Sequence, residues 1–139
     1  MEKIKNKTLV LILILISAFI IILFLNAPLQ KQTIPTKFTA GENMGFDLTP
    51  DSLNFGKIVP GSSATRNITI TNTFDKPTIT KIKSSGEISS HIIVSENNFI
   101  LQPEESKNIT FTVYSTKNLE YKEYPGKIVI TTKRTTFFS

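Results

Sequence analysis

Asn108-Ile109-Thr110-Phe111-Thr112-Val113-Tyr114 is the stretch whose reading decides the fold. Ile109, Phe111 and Val113 alternate with polar neighbours. Successive side chains on a strand point to opposite faces, so the three apolar residues line up on one face and the polar ones on the other. A helix would scatter the same residues around its axis. The expectation is a half-buried antiparallel strand, wet on one side. Asn67-Ile68-Thr69-Ile70-Thr71-Asn72 repeats the pattern, with Ile68 and Ile70 inward.

Outward from these two runs, short apolar stretches recur at the spacing of an all-β domain. Strands are expected at Leu53–Val59, Thr78–Lys83, His91–Ser95, Asn98–Leu101 and Lys127–Thr132, with a further short one at Phe46–Thr49. Pro60-Gly61, Ser84-Ser85-Gly86, Asn97-Asn98, Pro103-Glu104 and Pro125-Gly126 read as turns. Residues 46–139 number 94, the size of one immunoglobulin-like sandwich of about seven to eight antiparallel strands. Between residues 28 and 45 lie prolines, glycines and scattered charge without apolar periodicity, which reads as a flexible stalk open to protease near Gln30–Glu42.

The N-terminal part is of another kind. Leu9–Leu25 spans seventeen residues of which Ser17 alone is polar. As a helix it extends roughly 25 Å, close to the roughly 30 Å hydrocarbon core of a bilayer. Its Leu, Ile, Val and Phe residues sum to about −5 to −9 kcal/mol of insertion free energy. Residues 8–27 are therefore expected to form one transmembrane helix. Lys3, Lys5 and Lys7 precede it, so the positive-inside rule keeps residues 1–7 cytoplasmic and sends the domain outside as a single-pass cell-membrane protein. The rival readings are a cleaved signal peptide, disfavoured by Pro28 directly after the only small residue at the exit, Ala27, and a buried core helix. A pilin-like subunit is disfavoured because no acidic residue lies between Lys3 and Asn26. No cysteine is present, which excludes disulfides, thiolate metal sites and lipidation at cysteine.

Three segments together carry a resemblance. Leu48-Thr49-Pro50-Asp51-Ser52-Leu53-Asn54-Phe55-Gly56-Lys57-Ile58 with Pro60-Gly61 opens it. Arg66–Asn72 follows as a strand ending in Asn. Phe99–Ser106, the Ile109–Val113 strand and Tyr124-Pro125-Gly126-Lys127-Ile128-Val129-Ile130 close it. In order and spacing they resemble the ASH-type (Hydin-like) immunoglobulin-like domains and the related major-sperm-protein-like sandwiches, across residues 46–139. The resemblance implies a scaffolding, adhesion or protein-binding module. Many relatives are cytoskeletal or ciliary, whereas a membrane anchor, together with twenty Ile and eighteen Thr, points to a prokaryotic surface protein.

Little in the chain suggests chemistry. His91 is the one histidine and has no acidic neighbour in sequence. Asp47, Asp51 and Asp75 lack the dense spacing of a calcium loop. No phosphate-binding glycine loop or nucleophile elbow occurs. The expectation is a non-catalytic protein without cofactor, metal or small-molecule substrate. Beyond residues 1–7 the chain holds 13 basic and 10 acidic residues, which reads as an ordinary surface without the basic stripe that nucleic acid binding requires. Asn67-Ile68-Thr69 and Asn108-Ile109-Thr110 are N-glycosylation sequons on the polar strand faces. Phe137 and Phe138, near the end of the chain, either extend the last strand into the core or form an apolar contact for a partner. The expected partners are membrane lipid, through the helix, and another surface or envelope protein. The alternative is an accessory subunit of a membrane complex that uses the helix as its interface.

Overall fold

A computed structural model of the chain describes residues 2–42 and 52–135, with the backbone alone for residues 2–5. Helix α1 runs Glu2–Asn26. Among the described residues eight strands follow: β1 Gln30–Ala40, β2 Leu53–Ile58, β3 Ser63–Thr71, β4 Thr78–Gly86, β5 Ile92–Val94, β6 Phe99–Leu101, β7 Ser106–Tyr114 and β8 Glu123–Arg134. A 3-10 turn, Glu87–Ser90, joins β4 to β5. The strands form a five-stranded sheet, β2-β1-β8-β4-β6, over a three-stranded sheet, β3-β7-β5. The chain is thus an immunoglobulin-like β-sandwich preceded by one apolar helix.

The alternation of β7 does what its sequence requires. Ile109, Phe111 and Val113 are wholly buried, and Ile68 and Ile70 of β3 pack half-buried beside them. Phe38, Leu101, Ile128 and Ile130 meet them from the larger sheet, and Ile88 of the 3-10 turn closes the end. In β2, Leu53 and Phe55 share a parity that Ile58 lacks, yet all three are buried. The pairing with β1 explains this: Lys37 opposes Asn54 and Thr39 opposes Lys57, so β2 carries one extra residue. Such a bulge reverses the facing of every residue beyond it. It is built at Gly56, whose φ of 73° suits a residue without Cβ, and Asn54 Oδ1 accepts the Gly56 N–H at 3.0 Å.

Four expectations need correction. The stretch 28–45, read as a flexible stalk, contains β1, which lies inside the larger sheet between β2 and β8. It pairs antiparallel with β8 from Gln30 opposite Thr132 to Thr39 opposite Glu123, with Thr36, Phe38 and Ala40 buried. Its register with β8, not its own weak periodicity, makes it a strand. Secondly, the strands are not all antiparallel, because β1 and β2 run parallel. Thirdly, Ser84-Ser85-Gly86 ends β4 and does not turn, since the reversal falls in Glu87–Ser90. Fourthly, Pro125-Gly126 lies inside β8. Both strand prolines sit where one ladder is missing: Pro35 one residue before β2 pairing begins at Thr36, Pro125 one residue past the last β4 partner, Gly126. The strand expected at Phe46–Thr49 lies outside the described residues.

Asn97 completes the larger sheet where it runs short. β6 pairs with β4 only at Thr78–Thr80, leaving Ile82 at an open edge. The Asn97 amide donates to Ile82 O and accepts from Ile82 N–H, both at 2.7 Å, so one side chain stands in for the missing strand.

Candidate interaction surfaces

The two sheets present outer faces of different chemistry. On the three-stranded sheet, the outward positions of β3 are Ser63, Thr65, Asn67, Thr69 and Thr71, and those of β7 are Ser106, Asn108, Thr110, Thr112 and Tyr114. None is charged. Hydroxyls pair across the strands, Thr65 with Thr112 at 3.3 Å and Thr71 with Ser106 at 2.8 Å. Both sequons lie on this face with their asparagines exposed, and the register sets Asn67 opposite Thr110 and Thr69 opposite Asn108.

The five-stranded sheet differs. Lys31 of β1, Lys81 and Lys83 of β4, and Lys127 and Lys133 of β8 all project outward. Among the described residues none of these five is ion-paired, whereas Lys37 on the same face binds Glu123 at 3.0 Å. Four of the lysines line a depression of about 650 Å³ whose floor includes Ile79 and Val129. The expectation of an ordinary surface is corrected to this extent: five lysines share one face of the larger sheet. Three strands distant in sequence bring the lysines together, and the one local signal in the sequence is Lys81-Ile82-Lys83 within β4.

Among the described residues β3 is an edge strand, with one side free of a sheet partner along its nine residues. Its one charged residue, Arg66, donates from Nε to Asn54 O at 3.2 Å and closes the side of the sandwich toward β2. At the end of the sandwich away from α1, Phe38 and Tyr124 stack at 4.8 Å. His91 meets both rings edge-on at 5.7 and 5.2 Å, so aromatic packing accounts for its position. Beside them Lys122 binds Glu87 at 2.8 Å, and this hydrogen bond and charge hold the ammonium above its ordinary value. Among the described residues no three His, Asp or Glu side chains group as a metal site. Asp75 is exposed in the turn after β3. Asp47, Asp51, Phe137 and Phe138 lie outside the described residues.

α1 is apolar and long enough to cross a membrane over Asn6–Asn26, a property signal sequences share, and none of that window is buried against the sandwich. Its end meets β8: the Arg134 guanidinium lies 5.8 Å from the Phe24 ring centre, and Leu29 N–H donates to Thr132 O at 2.8 Å.

The described residues thus form a disulfide-free two-sheet sandwich with an open edge and two chemically distinct outer faces. The family model for ASH (Abnormal spindle-like microcephaly-assoc'd, ASPM-SPD-2-Hydin) matches residues 46–124. That is more than half of the 139 residues, and the chain belongs to this family. The ASH domain is a non-catalytic immunoglobulin-like module suited to protein interaction. No curated protein and no solved structure compared with the chain matches it. β1 and all but the first two residues of β8 fall outside the matched stretch.

Proposed function

We propose that this protein is a membrane-anchored interaction module of a prokaryotic cell surface, non-catalytic, with α1 spanning the membrane, the N-terminus cytoplasmic and the sandwich outside. The observation that carries this reading is the join: three residues, Ala27–Leu29, separate an apolar helix whose membrane-length stretch is not buried in the sandwich from a strand inside the larger sheet. Pro28 disfavours signal cleavage between them. The partner is another surface or envelope protein, received along the β3 edge, where free backbone groups accept an added strand. A glycan on Asn67 or Asn108 would stand on the adjoining uncharged face.

The chain has no cysteine, which makes topology directly testable. Asn6→Cys and Lys117→Cys variants are treated with a membrane-impermeant maleimide. Labelling of Lys117→Cys on intact cells, and of Asn6→Cys only after permeabilisation, supports the proposed orientation. The reverse pattern overturns it. Crosslinking in whole cells through a photoreactive group at Thr69, against one at Thr39 on the other sheet, tests the β3 edge: a partner captured only at Thr39 overturns that assignment.

A further inference from the structure

Charge on the sandwich is sorted by position along the strands as well as by face. β8 ends at Arg134, beside the ring of Phe24 in the last turn of α1. Lys133 precedes it, and Lys31 and Lys81 flank Thr131 on either side. At about 3.3 Å per residue, the row through Lys31, Thr131 and Lys81 stands about 10 Å above Arg134. A bilayer about 30 Å thick in hydrocarbon and 40–45 Å with headgroups has a headgroup layer of about 5–8 Å on each side. With α1 in the membrane, Lys31, Lys81 and Lys133 therefore stand in or just above that layer.

The carboxylates at this end of the sandwich lie elsewhere. Asp75 is in the turn that leaves β3, and Glu104 and Glu105 are in the turn that enters β7. All three belong to loops off the outer face of the larger sheet. Lys76 beside Asp75 and Lys107 at the start of β7 offset these carboxylates, so the attraction of an anionic surface for the lysine side sets the tilt. Ile79 and Val129 in the floor between the lysines add apolar surface that fits the interfacial zone.

We propose that the outer face of the five-stranded sheet, at its end next to α1, is a binding site for anionic phospholipid headgroups of the membrane that holds the helix, with Lys31, Lys81 and Lys133 as the contacting residues. This rests on the membrane-anchor reading of α1. It assigns the lysine face a ligand, a phosphodiester anion, and gives the sandwich a preferred lean that leaves the β3 edge and the uncharged face turned away from lipid.

The test uses the full chain in vesicles of phosphatidylcholine alone, or of phosphatidylcholine mixed with phosphatidylglycerol. An amine-acylating reagent is added, and its rate at each lysine is read by peptide mass spectrometry. The expected result is that anionic lipid slows acylation of Lys31, Lys81 and Lys133 by roughly fivefold, the gain of one cation near such a surface, and that high salt removes the effect. Lys57 and Lys117, at the far end of the sandwich, keep their rates. Equal rates in the two vesicle types, with the chain retained after alkaline carbonate washing, overturn the lipid site while leaving the anchor intact. Release of the chain by carbonate overturns the anchor reading itself. Equal protection by inorganic phosphate or an oligonucleotide over phosphatidylcholine vesicles overturns the assignment to lipid.

Discussion

Gly126→Ala is the substitution that tests the packing account most severely. Gly126 of β8 faces Gly86 of β4, and the 3-10 turn folds back over this pair. A Cβ built on Gly126 collides with the Ile88 Cγ2 methyl and the Ser85 carbonyl oxygen. A Cβ on Gly86 would come within 2.6 Å of Gly126 Cα and 2.8 Å of Pro125 O, at a φ of 89°. The two glycines therefore exist to let backbone approach backbone under a side chain. Ile88 is wholly buried. Driving it out forfeits about 1.5–3 kcal/mol of burial, and displacing the Ser85 carbonyl in a packed interior costs about 1–3 kcal/mol. The expected loss is about 3–5 kcal/mol. At about 4 °C per kcal/mol for a domain of this size, Tm falls by about 12–20 °C. Thermal unfolding of the full chain in detergent, followed by near-ultraviolet circular dichroism, isolates the sandwich because α1 holds no Tyr or Trp. Gly41→Ala is the control: its Cβ meets only the flexible stem of Lys57, and a loss below about 1 kcal/mol is expected. If Ile88 is the obstacle, adding Ile88→Ala to Gly126→Ala costs less than the sum of the two changes. A Gly126→Ala protein within about 1 kcal/mol of the parent would refute the reasoning.

The remaining predictions concern polar groups. Thr80 is wholly buried and its hydroxyl has no hydrogen-bond partner among the described residues, so Thr80→Val keeps the shape, removes an unsatisfied group and raises stability by about 1 kcal/mol; a lower Tm contradicts this. Asn72 is buried, donates to Lys76 O at 2.9 Å and to Leu101 O at 3.0 Å, and accepts from Phe74 N–H at 3.0 Å. Asn72→Ala strands those groups and costs about 2–4 kcal/mol in chemical denaturation, whereas Asn67→Ala on the exposed face stays within about 0.5 kcal/mol. In a glycosylating host the chain carries at most one N-glycan, because Asn67 and Asn108 are diagonal neighbours about 7–8 Å apart. Intact mass before and after glycosidase treatment reads this, and a doubly modified species rules it out.

Legibility in the sequence followed how local each cause was. β3 and β7 announced themselves because Ile68 and Ile70, and Ile109, Phe111 and Val113, stand inward at strict period two, and the ASH resemblance, which drew on these strands together with Leu48–Gly61, Phe99–Ser106 and Tyr124–Ile130, was borne out by the family match to residues 46–124. β1 was missed because its inward row, Gln30, Gln32, Ile34, Thr36, Phe38 and Ala40, is half polar and Pro35 interrupts it. Its strand character comes from ten paired positions with β8, some ninety residues away. Ser84-Ser85-Gly86 and Pro125-Gly126 have turn composition, but here the same residues provide close backbone approach between facing strands, a need that exists only once the register is known. The lysine face was hidden for a related reason: net charge and runs along the chain do not report which residues share a side of a sheet. Lys31, Lys81 and Lys133 become neighbours through two separate registers. The folded β1 also changes what an experiment can say, since protection of Gln30–Ala40 from protease follows from sheet pairing on either side of a membrane.

The short join gives the two faces different prospects. A sandwich on a long flexible stalk would sample every orientation, and a lysine patch on it would act only as diffuse charge. With three residues between α1 and β1, and with Leu29 already bonded to β8, the end of the sandwich that carries Lys31, Lys81 and Lys133 stays beside the helix. These charges then act at short range, where screening by salt at about 8 Å has not yet removed them. The three-stranded sheet has no charge at its outward β3 and β7 positions and gains nothing from approaching an anionic surface. Under the proposed topology, one face is drawn toward the bilayer while the other, with the open β3 edge, is left for a protein partner. Lengthening the join with a flexible insert between Ala27 and Pro28 should therefore weaken partner capture at β3 without altering the Tm of the sandwich; capture that is indifferent to join length would mean that orientation plays no part in binding.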